Sequence, residues 1–186
     1  MHVPQRLLPH LHIIGQPLFV TFRLYGSLPP GRDFPKESMT SGKAFVCMDR
    51  LLDKHRLGPH YLRAPAIAQC VVDAIRATSL NNFLLHAWVI MPNHVHLLIT
   101  PSTEVPKLLR ELKGSSARSA NQILGRTGTP FWQRESYDRL VRNPTEFDRI
   151  TNYIIQNPVQ ARLAVSPEAY RWSSAFQGGG LKPTAG

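Results

Sequence analysis

Two kinds of hydrophobic spacing alternate along this chain, and each change of spacing predicts the boundary of an element. Residues 18–25 (LFVTFRLY) are rich in aromatic and β-branched side chains, which predicts a strand. Residues 44–57 and 64–80 instead carry apolar side chains at helical spacing, as at Ile67 and Val71. That spacing predicts two helices after the first strand.

The middle of the chain carries the pattern of a hairpin. Two apolar runs cover residues 84–91 and 94–100, and only Pro92 and Asn93 separate them. A Pro-Asn pair between apolar runs is typical of a tight turn. We therefore predict two antiparallel strands joined by that turn.

A long helix and a further strand are predicted after the hairpin. Residues 105–124 are amphipathic with a helical period, although Gly114 in the middle weakens the pattern. Residues 131–141 predict the strand. The order strand, helix, hairpin, helix, strand, helix is typical of an α+β fold, in which helices pack on a central antiparallel sheet.

The last helix has a marked start and a marked end. Asn143 is a predicted N-cap, Pro144 fits the first helical position, and Glu146 can close a capping box. Pro158 is expected to stop the helix near Gln156, because proline has no N–H and its ring clashes with the preceding turn.

Length and composition fit one domain. A chain of 186 residues with 42% hydrophobic content can bury its own core. We predict a single domain over residues 1–176, in which residues 28–41 form a surface loop rich in proline and glycine. Residues 177–186 contain three consecutive glycines and are predicted to be a flexible tail.

The charge balance points to a polyanionic partner. The chain has 22 Lys and Arg against 12 Asp and Glu, a formal net charge of +10, and such an excess favours nucleic acid through counterion release. Cys47 and Cys70 lack paired spacing, which argues against a disulfide framework or a thiolate zinc site. No signal-like segment or membrane-spanning apolar run is seen, so we expect a cytoplasmic protein.

Two histidines in the second hairpin strand are candidate metal ligands. His94 and His96 are two positions apart, so their imidazoles point to the same face of the strand, while Val95 and Leu97 point to the other. Two imidazoles on one face can both bind a divalent ion. The alternative is an incidental pair, and for His86 in the partner strand a buried, hydrogen-bonded histidine is the favoured interpretation.

A phenol and an amide four residues apart follow on the last helix. Tyr153 and Asn157 lie on one side of that helix by their spacing. Because the residue before a proline leaves the helical region, we expect Pro158 to hold Asn157 at a frayed end with its amide oxygen turned outward. Both groups could then face the two histidines.

Three linked motifs, MPNHVHLLI, FWQRESYDRLVR and NYIIQNPV, resemble those of the single-tyrosine transposases of the HUH endonuclease superfamily. Within it, the chain is most similar to the REP-associated tyrosine transposases of the IS200-like family, over residues 15–175. The resemblance implies a ferredoxin-like fold, with the histidine pair on a central strand and the tyrosine on a C-terminal helix. One departure is Arg162, where many relatives have glycine.

The resemblance also implies the chemistry. His94, His96 and Asn157 correspond to the ligands of a divalent ion, Mg²⁺ or Mn²⁺, and Tyr153 corresponds to the nucleophile, which would form a 5′-phosphotyrosine. The implied partner is single-stranded DNA with a hairpin, bound by a monomer or a homodimer. Tyr137 is the rival nucleophile, although a half-buried strand tyrosine is the favoured interpretation there.

Basic side chains on the last two helices and around the tyrosine segment could follow a DNA backbone. Trp132 could stack on an unpaired base, although packing in the core is favoured. The candidate DNA contacts are Arg110, Lys113, Arg118, Arg126, Trp132, Arg134, Arg139, Arg142 and Arg149.

Two other functions compete with a strand transferase. One is a domesticated DNA-binding protein that keeps the fold without turnover, which the presence of all four candidate site residues disfavours. The other is a zinc hydrolase built on His94 and His96, which the lack of a third His or Asp at metal spacing disfavours.

Overall fold

A four-stranded antiparallel sheet with the strand order β2-β3-β1-β4 organises the fold in this computed structural model. The structure describes residues 13–28, 49–52, 58–179 and 181–184. The strands are β1 (Leu18–Arg23), β2 (Phe83–Ile90), β3 (His94–Pro101) and β4 (Tyr137–Leu140). The helices are α1 (Pro65–Asn82), α2 (Val105–Ile123) and α3 (Pro144–Gln160).

Alternating residues of the strands divide the core between the two faces of the sheet. On one face, side chains such as Val20 and Phe22 belong to the same cluster as the apolar residues of α1 and α2. On the other face, Phe19 packs in a cluster with Ile150 and Ile154 of α3. The period of two along each strand therefore decides which helices a strand residue contacts.

The hairpin forms as predicted and supplies the centre of the sheet. β3 pairs with β2 on one side and with β1 on the other. In this register Thr21 of β1 and Val89 of β2 both lie opposite His96. The strand that carries the two histidines is therefore covered on both edges and buried along most of its length.

The strand predicted over residues 131–141 is shorter in the structure, and that prediction was wrong in its extent. Only Tyr137–Leu140 pairs continuously, while Trp132 makes an isolated bridge to Leu24. Between them the chain is held from α2, because the Lys113 ammonium donates to the carbonyls of Gln133 and Arg134. Those carbonyls bond to a side chain rather than to a neighbouring strand.

Helix α3 starts as predicted but does not stop where predicted. The Asn143 side chain accepts a hydrogen bond from the Glu146 amide, as an N-cap should, whereas the Glu146 carboxylate accepts from the Arg142 amide. The helix continues through Pro158 to Gln160. Pro158 removes one backbone hydrogen bond of the last turn, and the burial of its apolar ring offsets part of that cost.

Arg162 takes the conformation that a glycine would take after this helix. Its φ is 58°, and it is the one non-glycine residue with positive φ among the described residues. Its amide donates to the Val159 carbonyl, and the Leu163 amide donates to the Pro158 carbonyl, which closes the helix end. The departure from glycine at this position therefore leaves the turn in place.

Parts of the predicted organisation fall outside the described residues. Of the helix predicted over residues 44–57 the structure describes residues 49–52, which are helical; Cys47 and most of the predicted loop over 28–41 are outside. In the predicted tail, the Leu181 carbonyl accepts from the Trp88 indole and the Thr184 amide donates to Leu85. None of the described helices has the length and apolarity to cross a membrane.

Candidate metal and tyrosine site

His94 and His96 stand at the centre of the site, on the face of β3 that α3 covers. Both side chains are fully buried. Their Nε2 atoms are 3.1 Å apart and so point at one location. The predicted face is confirmed, since Val95 and Leu97 lie in the core cluster on the opposite side of the sheet.

The other ring nitrogen of each histidine has a neighbour that orients it. His94 Nδ1 lies 2.7 Å from Asn93 Oδ1, and the Asn93 amide is fixed because its nitrogen donates to the Leu52 carbonyl. An amide oxygen only accepts, so His94 carries a proton on Nδ1, and its Nε2 is the ring nitrogen that faces Asp49. His96 Nδ1 lies 2.7 Å from Thr21 Oγ1, and this contact orients the ring, although a hydroxyl can donate or accept and so sets no tautomer.

A carboxylate that the sequence did not single out completes the group. Asp49 lies in the helical residues 49–52, and its Oδ1 is 3.1 Å from His94 Nε2 and 3.0 Å from His96 Nε2. These three side chains form a cluster that could hold a metal ion. The expectation that no third Asp or His accompanies the histidines was therefore wrong.

Helix α3 brings the phenol and the amide to the same carboxylate. The Tyr153 hydroxyl donates to Asp49 Oδ2, and Asn157 Nδ2 donates to that oxygen at 2.8 Å. The Tyr153 ring also meets His96 edge-on, with centroids 5.7 Å apart. The sequence-based expectation that Tyr153 and Asn157 share the histidine site is thus met in the position of their side chains.

The expected position of Asn157 at a frayed helix end was wrong. Because α3 continues beyond it, Asn157 is 1% exposed and lies inside the helix. Its amide nitrogen, not its oxygen, faces Asp49 and lies 3.5 Å from His96 Nε2. The oxygen is buried without a hydrogen-bond partner among the described residues.

Charge at the centre of the site favours an ionised carboxylate. Burial disfavours the charged form of Asp49, but the charge and hydrogen bonds of His96 and His94 outweigh burial and hold the pKa of this carboxyl well below its usual range. A negative charge buried between two imidazoles requires a positive charge beside it, as protons or as a cation.

The donor set fits a divalent ion. The three donor atoms lie 3.0 to 3.1 Å from one another. An octahedral ion such as Mg²⁺ has bonds of about 2.1 Å at right angles, so its neighbouring ligand atoms lie about 3.0 Å apart. The observed spacing therefore fits Mg²⁺. Two imidazoles and one carboxylate on one side of an ion leave the opposite positions open for a substrate.

His86 and Tyr137, the other candidates, lie in different surroundings. His86 Nε2 is 2.7 Å from Thr100 Oγ1, its ring meets Phe147, and burial lowers its pKa. Tyr137 is buried in β4 against Phe19, and burial raises the pKa of its phenol. His86 is therefore hydrogen-bonded but only partly buried, whereas Tyr137 is more buried than the half-buried strand tyrosine that the sequence favoured.

The candidate DNA contacts divide by exposure. Trp132 is buried, and its indole donates to Ser116 Oγ, so its faces belong to the core. Lys113 is partly buried and used within the chain, and burial lowers its pKa to about 8. Arg126 packs over the Tyr61 ring. The exposed candidates are Arg110, Arg118, Arg134, Arg142 and Arg149.

The site lies in a segment with known relatives. Residues 68–157 match the family model described as Transposase IS200 like. The matched segment covers slightly less than half of the chain and is similar to an IS200-like transposase. It contains His94, His96, Tyr153 and Asn157, whereas Asp49 precedes it.

A solved structure with a similar fold covers nearly the whole chain. The chain is similar to a REP-associated tyrosine transposase bound to a REP hairpin, with a TM-score of 0.62 and 19% identity over 96% of this chain and 90% of that chain. This likeness confirms the predicted α+β class, with helices packed on an antiparallel sheet.

A more distant likeness is to a protein of Deinococcus radiodurans R1 assigned as a transposase. It has 15% identity over 81% of this chain and 96% of that one, and its TM-score of 0.40 is too low for the folds to be compared. No curated protein matches the sequence.

Proposed function

We propose that this protein is a metal-dependent single-stranded DNA endonuclease and strand transferase with Tyr153 as its nucleophile. One observation carries the proposal: the Tyr153 hydroxyl, the Asn157 amide and the Nε2 atoms of His94 and His96 all converge on the Asp49 carboxylate. A nucleophile beside a group of metal-binding side chains is the arrangement that phosphoryl transfer needs.

His94, His96 and Asn157 would hold the ion, Mg²⁺ or Mn²⁺, together with Asp49 Oδ1. When bound, the ion polarises the scissile phosphate and stabilises the charge that develops on its oxygens. The Asn157 amide would turn by half a rotation, so that its unpartnered oxygen replaces the nitrogen that faces His96.

Tyr153 would carry out the cleavage in one displacement. Its phenolic oxygen bonds to phosphorus, the bond from phosphorus to the 3′-oxygen breaks, and the 3′-oxygen takes up a proton. The product is a 5′-phosphotyrosine and a free 3′-hydroxyl. A second DNA 3′-hydroxyl can reverse the step and join strands without ATP, because the phosphodiester energy is kept in the covalent link.

Asp49 also positions the phenol. The Tyr153 hydroxyl donates to Asp49 Oδ2, while Oδ1 faces the histidines. Because the pKa of this carboxyl is held well below its usual range, it is a weak base. We propose that Oδ2 orients the phenol, that Oδ1 binds the metal, and that the phenolic proton passes to water.

The proposed substrate is single-stranded DNA with a hairpin. The net charge of +10 favours a polyanion, and the REP-associated transposase with this fold is itself bound to a REP hairpin. Since all five site residues come from one chain, we propose that a monomer contains a complete site.

The test is a denaturing gel of labelled hairpin DNA incubated with the protein and Mn²⁺. We expect a covalent protein–DNA adduct that EDTA prevents and Tyr153→Phe abolishes. Tyr137→Phe is the matched control and should keep the adduct. An adduct that survives in Tyr153→Phe would refute the proposed nucleophile.

Two companion assays, a native DNA-binding assay and an ester-hydrolysis assay, would favour other functions if the gel shows no adduct. Binding of hairpin DNA without an adduct would favour a domesticated DNA-binding protein of the same fold. Hydrolysis of simple esters with Zn²⁺, and no reaction with DNA, would favour the zinc hydrolase.

A further inference from the structure

We propose that a cleft at the start of α3 binds the backbone phosphates of the DNA strand that enters the tyrosine site. The arginine cleft, as we call it, has a volume of about 340 Å³ and is lined by Arg139, Arg142, Asn143, Thr145, Glu146 and Arg149. This inference rests on the proposed function, because it gives the DNA strand a path to Tyr153.

One buried carboxylate organises the arginine cleft. Glu146 is 7% exposed and forms ion pairs with Arg139 and, at 3.5 Å, with Arg149. Its other oxygen accepts from the Arg142 backbone amide at 2.9 Å. The Arg142 side chain is exposed. Two guanidinium groups therefore pair with one carboxylate, and with Arg142 the three arginines and one glutamate of the lining give a net charge of +2.

The chemistry of these groups favours a phosphate. Guanidinium groups offer paired N–H donors that match the oxygens of a phosphate. The Nε of Arg139 is buried and has no hydrogen-bond partner among the described residues. The amides of the first turn of α3 add partial positive charge on the same side. A phosphate in the cleft would supply hydrogen-bond acceptors for those N–H groups of the arginines that Glu146 does not bind.

The position of the cleft connects it to the tyrosine. Arg149 and Tyr153 are four residues apart on α3, so they are neighbours on one side of the helix and are separated by about 6 Å along its axis. One strand of DNA advances about 3.4 Å per nucleotide. A strand with a phosphate in the cleft therefore reaches Tyr153 within about two nucleotides.

A purely structural role for the arginines is the competing explanation. In that case Arg139 and Arg149 would serve only to neutralise Glu146 at the helix start. Arg142 separates the two explanations, because its backbone rather than its guanidinium contacts Glu146. Its substitution should leave the fold intact and yet weaken DNA binding.

The experiment measures binding of labelled hairpin DNA by fluorescence anisotropy at several salt concentrations, with EDTA present and in the Tyr153→Phe background. The variants are Arg142→Gln and Arg149→Gln. The matched control is Arg76→Gln, an exposed arginine of α1 on the opposite face of the sheet. Because no metal or cleavage is involved, the result does not depend on the chemistry proposed for Tyr153.

The slope of log affinity against log salt is negative, and we expect each cleft variant to make it shallower by about 0.7, the value of one phosphate contact on a single strand. Arg76→Gln should keep the slope, and all variants should keep the melting temperature. A methylphosphonate scan of the DNA should find one or two linkages at which Arg142→Gln no longer has an effect.

Slopes of the cleft variants equal to that of Arg76→Gln would overturn the arginine cleft, even if the covalent adduct forms normally. Conversely, reduced slopes in a protein that never forms the adduct would leave the cleft standing and refute the proposed transferase.

Discussion

Tyr153 on α3 donates its hydroxyl hydrogen to Asp49, a residue 104 positions earlier in the chain. The carboxylate also contacts both histidines of β3. Asp49 therefore contacts the tyrosine and both histidines, and the first prediction concerns it.

Asp49→Asn should lower the affinity for Mn²⁺ at least tenfold, because the amide keeps the shape of the carboxylate but loses its charge. Titration calorimetry of the purified variant measures this. Asp73→Asn, which changes an exposed carboxylate of α1, is the control and should bind Mn²⁺ like the unaltered protein. Equal affinities for the two variants would remove Asp49 from the metal site.

Thr21→Val should weaken Mn²⁺ binding by about tenfold to a hundredfold, the usual effect of losing a group that orients a histidine ligand. The hydroxyl of Thr21 contacts His96 Nδ1 at 2.7 Å, and valine has the same shape without it. Thr100→Val removes a similar contact from His86 and should have no effect on Mn²⁺. If both variants bind alike, the orientation of His96 does not depend on Thr21.

The lowered pKa of Lys113 predicts that the stability of the folded protein depends on pH. Burial lowers its pKa from 10.5 to about 8, so the unfolded chain binds more protons than the folded one between these values. The free energy of unfolding should therefore gain about 2 kcal/mol from this residue as the pH rises from about 8 to about 10.

The measurement is denaturant unfolding of the unaltered protein and of Lys113→Met across that range. As the pH rises, the free energy of unfolding of the unaltered protein should increase relative to that of Lys113→Met, since methionine does not titrate. Curves that run parallel across the whole range would contradict the lowered pKa.

Arg162→Gly should stabilise the protein by about 1 kcal/mol, because glycine has no Cβ that opposes a positive φ. For a domain of this size the melting temperature should rise by about 2 to 4 °C. Arg162→Ala keeps the Cβ and loses the rest of the side chain, so it should give no such rise. A similar gain from both variants would assign the effect to the side chain rather than to the backbone.

The histidine pair shows what local spacing can establish. Two positions along a strand are enough to place His94 and His96 on one face and Val95 and Leu97 on the other. The start of α3 is equally local, since Asn143 caps an amide only three residues away. Such features depend on covalent geometry and neighbouring hydrogen bonds, so they can be predicted without knowledge of the fold.

The errors concern residues whose surroundings are distant in sequence. Pro158 was expected to end a helix, yet the tertiary structure tolerates it in the last turn and keeps Asn157 inside. Lys113 was expected as a candidate DNA contact, but its partly buried ammonium holds residues 133–136 against α2, whereas the buried Trp132 has the core role that the sequence favoured. Helical spacing shows which side a residue is on, not what lies against that side.

The sequence by itself determined the α+β order of elements, the face that carries the two imidazoles and the helix that carries the phenol. Only the tertiary structure decided that Asp49 joins them, because nothing in its neighbourhood distinguishes it from Asp53 in the same predicted helix. Asp49 faces the histidines because residues 49–52 are held beside β3 by contacts such as the hydrogen bond from the Asn93 amide to the Leu52 carbonyl, which joins residues 41 positions apart in the sequence.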